Sequence, residues 1–366
     1  MKAIKSVVTL KEKIKKSPEQ KKPFVSIVVP AYNEASIVEK NLGEICEYMK
    51  TLENEYRWEL IFVDDGSTDG TGEIAEAFAR KRENVHILHH IFNFRMGQAL
   101  RFAFNNLKGD YVVTLDMDLS YSPDHIERML KKIRETRAKI VIASPYMKGG
   151  KVSNVSWIRK VLSAGANRFL SLSAKGKIST VTGMVRTYDR RFLKMLDLRA
   201  MDTDINQETI YKAQLLGARI EEIPAHLDWG SKSDGAKRRR SSIRILKSIF
   251  SCLFGGFVFR PGTFLMLPGF FLVLLSFYPL TWALIHTVNF YKKVPPSVGF
   301  FDLRLSEAIA GAFRLSPHSF IIGGFTLMLG IQLVSLGILA LQNKRYFEDL
   351  FHLSTMIQRN NQENNK

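Results

Sequence analysis

Two aspartates separated by one methionine end a run of strand-forming residues in "YVVTLDMDLSYSP", residues 111–123. Aspartate is depleted in strands, so Asp116 and Asp118 need a reason to be there. Side chains two apart in an extended chain point to the same side, which would let both carboxylates face one cavity. Carboxylates held that close repel, and one pKa rises unless a cation lies between them. A hard divalent ion with oxygen ligands removes the conflict. Two solvated loop aspartates are the plain alternative, and the pair alone does not decide.

Two further polar clusters also follow apolar runs. "FVSIVVPAYNE" starts at Phe24 and breaks at Pro30 into a polar turn, and "WELIFVDDGSTDGT" stops at Asp64 and Asp65. Asp65 could accept from base or ribose donors, with Ser67, Thr68 and Gly70 allowing a tight turn; an ordinary Asx-rich turn is the alternative. Neither GxGxxG after the first strand nor GxxxxGK[ST] is present. A dinucleotide oxidoreductase and a P-loop NTPase are therefore disfavoured. What remains is a nucleotide site built from carboxylates and a metal.

The elements that would position these clusters alternate in type. Apolar runs suited to strands buried on both faces begin at Phe24, Trp58, Asn84 and Asp110. Between them lie helical stretches, such as "ASIVEKNLGEICEYMKTL" with Ile37, Leu42, Ile45, Cys46 and Met49 near helical spacing. Strand–helix alternation predicts βαβ units and a mostly parallel sheet, an α/β head. Ligands of such sheets bind outside the carboxyl ends of the strands, where all three clusters lie. His86, His89, His90 and His125 are scattered over strand and loop and read as structural.

Beyond the head the composition changes. Residues 264–288 and 319–342 are uncharged runs, each long enough to span a bilayer. A buried pair of core helices is the alternative, disfavoured by that length. Pro268 and Pro279 are tolerable in a membrane span. Lys232, Lys237, Arg238, Arg239, Arg240, Arg244 and Lys247 precede the first run, and Lys344 and Arg345 follow the second. The positive-inside rule then places head and tail (343–366) in the cytoplasm, with 289–318 on the far side.

The formal charge of +18 suggests an anionic partner, whether nucleic acid, phosphorylated substrate or acidic lipid. Nucleic acid is disfavoured, because the basic run adjoins a span and lacks interleaved aromatics. The basic stretch 236–260 reads as an interfacial helix, and residues 157–172 as a second amphipathic candidate. The leader, residues 1–23, is basic and lacks the apolar core of a signal peptide. Cys46 and Cys252 are far apart, which suits a reducing face.

Together, "VSIVVPAYNE", "VDDGSTDGT" and "LDMDLSYSP" resemble glycosyltransferase family 2 with its GT-A fold, a Rossmann-like head covering 24–235. "TGMVRTYDRRFL" is similar to its acceptor-side motif and "ETIYKAQLLGARIEEIP" to its closing helix and strand. The two apolar runs point to the polyprenyl-phosphate branch. The resemblance implies an inverting enzyme that moves one sugar from a nucleotide-sugar to a dolichyl or undecaprenyl phosphate at the cytosolic leaflet. It further implies that Pro30, Tyr32 and Glu34 hold the nucleotide, with Tyr32 stacking on the base and Asp65 accepting from it. Asp116 and Asp118 would bind Mg2+ or Mn2+ against the donor diphosphate, and Arg186 would lie near the acceptor phosphate. Lys232, Arg238, Arg239 and Arg240 are candidates for the lipid phosphate. A hydroxyl acceptor would instead need a base, with Asp204 or Glu208 as candidates. A polysaccharide synthase and a catalytically silent nucleotide-sugar-binding membrane protein are the alternatives, and a homo-oligomer stays open. Arg95 stands where relatives often carry glycine, and Met184 and Tyr188 depart from the common acceptor motif.

Overall fold

In the computed structural model, which describes residues 22–154, 178–228 and 261–364 together with Gly165 and Gly230, the apolar runs of the head become strands. The chain divides into two compact units, Met1–Ser241 and Ser242–Lys366. In the first, β1 (Phe24–Ala31), β2 (Arg57–Asp64), β3 (Val85–His89) and β4 (Tyr111–Thr114) alternate with α1 (Val38–Thr51), α2 (Thr71–Ala79) and α3 (Met96–Asn106). There follow α4 (Asp124–Thr136), β5 (Ile140–Ser144), β6 (Lys151–Ser153), β7 (Arg186–Asp189), α5 (Arg190–Met195), α6 (Ile205–Leu215), β8 (Ile220–Pro224) and β9 (His226–Asp228).

The seven-stranded sheet has the order β3-β2-β1-β4-β7-β5-β8, and β6 pairs with β9 in a small parallel sheet. All pairings of the large sheet are parallel except those of β7, which runs antiparallel between β4 and β5. Val25, Ile27, Val28 and Val29 of β1 are fully buried, as a strand covered on both faces requires. Buried polar groups are paired: Ser26 Oγ donates to Glu59 Oε1 at 2.5 Å, and Lys108 N donates to the same oxygen at 2.7 Å. The helix read from Ile37 to Met49 forms as α1 and buries Leu42, Ile45, Cys46 and Met49.

The sheet order places the site. The chain runs outward from β1 through β2 to β3, then crosses to β4 on the other side of β1. The carboxyl ends of β1 and β4 therefore flank the topological switch point, the usual ligand crevice of such sheets. The turn after β1 and the aspartate pair after β4 are neighbours for this reason.

The second unit contains α7 (Pro261–Tyr291), a short 3-10 turn at Pro296–Val298, α8 (Phe301–Leu315) and α9 (Pro317–Asn364). Two helical stretches, Phe264–Tyr291 and Pro317–Ile357, are long and apolar enough to cross a membrane. Glycines let α7 and α9 approach closely. A Cβ on Gly269 would lie 2.8 Å from Val334 Cγ2 and 3.0 Å from Gly330 O, and a Cβ on Gly330 would meet Gly269 O at 3.0 Å. Small residues at a crossing are what helix packing in lipid favours. The expected tail instead continues α9, whose 48 residues extend about 72 Å, over twice a hydrocarbon core. Between the spans, α8 buries Ala308 and Ala312, and Arg304 stacks on Tyr291 at 4.8 Å.

Candidate active site

Strand β4 ends at Thr114, four residues before the expected end. Asp116 and Asp118 occupy a turn, closed by Leu119 N donating to Asp116 O at 3.2 Å, with Leu119 at φ +47°. The alternation survives the correction: Met117 is buried while both aspartates are partly exposed. Asn41 on α1 fixes the turn from below, donating Nδ2 to Met117 O at 2.8 Å. Asp118 Oδ1 accepts from Ser120 N at 2.9 Å, and Ser120 O accepts from Asp228 N at 2.8 Å. Burial pushes the Tyr121 phenol up, and the carboxylates of Asp116 and Asp118 push in the same direction. Both aspartates thus act on one buried phenol.

The β1 and β2 turns are stitched together. Asn33 N donates to Ser67 Oγ, and Thr68 N donates to Asn33 Oδ1, both at 2.9 Å. Glu34 N donates to Thr71 Oγ1 at 2.9 Å and Ala35 N to Asp69 Oδ2 at 3.1 Å. Burial raises the Asp69 carboxyl, but the Thr71 hydroxyl and the Ala35 and Thr71 amides outweigh it and hold it below its usual range. Tyr32, beside this turn, is 44% exposed.

Asp65 is nearly buried. Its Oδ1 pairs with His90 Nδ1 at 2.6 Å and accepts from Phe94 N at 3.0 Å, while Oδ2 accepts from Arg95 N at 2.8 Å. Its first task is to fold residues 90–95 onto the rim. Asp64 does the same for Ser67 N and His89. His89 and His90 are held this way, and His125 Nδ1 lies 2.8 Å from Ser122 O, with Nε2 accepting from His226 N.

Arg186, expected near an acceptor phosphate, acts electrostatically on Tyr121 alongside Asp116 and Asp118, but its guanidinium is committed to the protein. It is fully buried: Nε donates to Gly183 O, Nη1 to Asn206 O and Nη2 to Val181 O, at 2.8, 2.8 and 2.7 Å. A buried charge must be satisfied, and here three backbone carbonyls and the Tyr188 side chain do so. Arg186 positions the 181–184 segment and presents no exposed guanidinium to an acceptor. Glu208 accepts from Arg199 N and Ala200 N and pairs with Lys212 at 2.7 Å, which commits it to structure. Asp204 Oδ1 accepts from Asp202 N. Lys232, Arg238, Arg239 and Arg240, the stretch 157–172 apart from Gly165, the stretch 236–260, and residues 1–21 of the leader lie outside the described residues.

The donor set fits a hard cation. Asp116 and Asp118 supply carboxylate oxygens, and no cluster of three or more His, Cys, Asp or Glu that could hold a metal occurs among the described residues. Mg2+ is bound through one or two carboxylates plus substrate phosphates, without a complete protein cage. Asn41 and Tyr121 escaped the reading of the sequence. An asparagine among the buried positions of α1 was the available signal for the first.

A profile of the family described as Glycosyl transferase family 2 matches residues 26–196. A polyprenol monophosphomannose synthase of Mycolicibacterium smegmatis is 31% identical over 205 residues, covering 54% of this chain and 75% of that protein. A dolichyl-phosphate beta-glucosyltransferase of Trichomonas vaginalis is 27% identical, covering 60% and 69%. An undecaprenyl-phosphate mannosyltransferase of Micrococcus luteus is 28% identical, covering 55% and 82%. Among solved structures, glucosyl-3-phosphoglycerate synthase from Mycobacterium tuberculosis, in complex with Mn2+, UDP and phosphoglyceric acid, aligns at TM-score 0.47 and 18% identity, covering 64% and 78%.

Proposed function

The chain belongs to glycosyltransferase family 2, and from that premise we propose that it transfers one sugar, with inversion, from a nucleotide-sugar to a polyprenyl phosphate. The observation that carries this reading is the meeting of the Tyr32–Glu34 turn and the Asp116/Asp118 turn at the switch point between β1 and β4. The names of the three relatives support the acceptor class.

Tyr32 stacks on the base, and Pro30 and Glu34 shape the turn that holds the nucleotide. A carboxylate has about four lone-pair sites, so Asp65, with three protein donors, retains one for the base. Asp116 and Asp118 would hold a divalent cation, which would neutralise charge on the departing nucleoside diphosphate. The acceptor phosphate is already anionic, so attack on the anomeric carbon needs positioning more than a general base. Glu208, tied to Lys212 and two amides, is not required as one. The proposal is tested by titrating the full-length protein with UDP, GDP and their sugars, with and without Mn2+. One nucleotide should bind, and more tightly with the ion. Absence of binding by every nucleotide in both conditions refutes it.

The reading places the reaction at the cytosolic leaflet, with both spans in the membrane and both termini cytoplasmic. In this reading Lys232 and Arg238–Arg240 bind the lipid phosphate, and their joint change to Gln should raise the acceptor KM and spare the donor KM. Single cysteines introduced at Lys292 and near the C-terminus are expected to react with an impermeant reagent from opposite sides of sealed vesicles. Labelling from the same side would refute the two-span arrangement.

A further inference from the structure

Arg95 precedes α3 with φ +75° and ψ +166°, a backbone region essentially reserved for glycine. Such strain persists only where the surroundings over-determine it, and it clusters at functional sites. The amide of Arg95 is fixed by Asp65 Oδ2 at 2.8 Å and Asn93 Oδ1 at 3.0 Å. Glycine would offer the same amide, so the side chain alone distinguishes arginine here. That side chain reaches Asp202, with Nη1 3.0 Å from Oδ2.

Asp202 belongs to the segment 197–204 between α5 and α6, which lies tightly on α3. Gln98 N donates to Met201 O and Arg101 Nη1 to Arg199 O, each at 3.2 Å. A Cβ on Gly97 would fall 2.6 Å from Ala200 O. Arg95 and Asp202 are 59% and 38% exposed, and exposed ion pairs contribute little stability. The pair therefore does not offset the strain, and the arginine needs a reason other than stability. Through Asp65, the same residue is bonded to the end of β2 on the nucleotide rim.

We propose that Arg95 and Asp202 form a latch that fixes the 197–204 segment against the nucleotide rim, with Arg95 a positioning residue for donor binding. This rests on the reading that the rim binds a nucleotide. The latch links the β3–α3 loop, carried by Asp65, to the connection that leads into α6. Opening it would remove the side-chain tie at Asp202 and leave the segment held by the Gln98 and Arg101 bonds to α3 and by Glu208.

The test uses full-length protein carrying Arg95→Gly, Arg95→Lys, Asp202→Asn, or Arg95→Gly with Asp202→Asn. Arg95→Gly should raise the Tm by about 3 °C, since it removes strain, and speed hydrogen exchange across 197–204 without nucleotide. It should also weaken, by about tenfold, whichever of UDP or GDP the unmodified protein takes with Mn2+. Asp202→Asn should give the same exchange and affinity losses without the gain in Tm. The double variant should be no weaker than either single one, and Arg95→Lys should recover part of the affinity. A more stable Arg95→Gly protein with unchanged exchange and affinity overturns the proposal. If the unmodified protein takes neither nucleotide, the nucleotide reading falls with the donor role of Arg95, while the exchange data still decide whether the latch exists.

Discussion

Asp118→Asn in the full-length protein is expected to lower the rate of sugar transfer by about a thousandfold and to leave thermal unfolding unchanged. Asp118 sits in a partly exposed turn outside the core, where its Oδ1 accepts from the Ser120 amide at 2.9 Å. Asparagine keeps an oxygen for that amide and the shape of the side chain; what it removes is the charge. A thousandfold loss corresponds to about 4 kcal/mol of transition-state stabilisation, within reach of a charge aimed at a departing diphosphate. Asp116→Asn should behave alike, and the double variant should lose little more, since the two carboxylates act as one unit. Equal rates in EDTA and in Mn2+ would contradict the assignment.

The second large effect is on folding. Arg186→Met should destabilise the head by about 3 to 5 kcal/mol, the usual cost of breaking a buried charged network. Methionine fills much of the volume but leaves the carbonyls of Gly183, Asn206 and Val181 without their donors. Each such buried acceptor costs about 1 to 3 kcal/mol. Arg186→Lys should recover only part, because a single ammonium does not reproduce a planar fork of donors. The measurement is thermal unfolding alongside acceptor kinetics. An unchanged Tm with a selectively raised acceptor KM would return Arg186 to the acceptor side.

These two residues also show where residue types were sufficient and where they were not. β1 and β2 were legible because both their faces are buried, and a strand in that setting is apolar throughout. The position of the aspartate pair was legible for the same reason, as an interruption of such a run. The conformation of the pair was not, because the turn depends on Leu119 at φ +47° and on the Asn41–Met117 bond from a distant helix. The resemblance of "TGMVRTYDRRFL" to an acceptor-side motif places Arg186 near the acceptor phosphate but carries no sign of its burial, which is rare for arginine. Its burial follows from β7 inserting antiparallel between β4 and β5, a non-local pairing without a local signature. The far end of α9 was read as a tail since charges at Lys344 and Arg345 end the apolar run. With no proline or glycine between Asn343 and Asn364, nothing stops the helix there.

The central claim is that a phosphate-bearing lipid receives the sugar, and partition of label tests it most directly. Purified full-length protein with Mn2+ is given the nucleotide-sugar it binds, radiolabelled in the sugar, with either polyprenyl phosphate or the corresponding polyprenol. The account predicts label in the organic phase with polyprenyl phosphate alone, one sugar per lipid, and none with Asp118→Asn. Label transferred to polyprenol or to an oligosaccharide, with polyprenyl phosphate left unmodified, would contradict it.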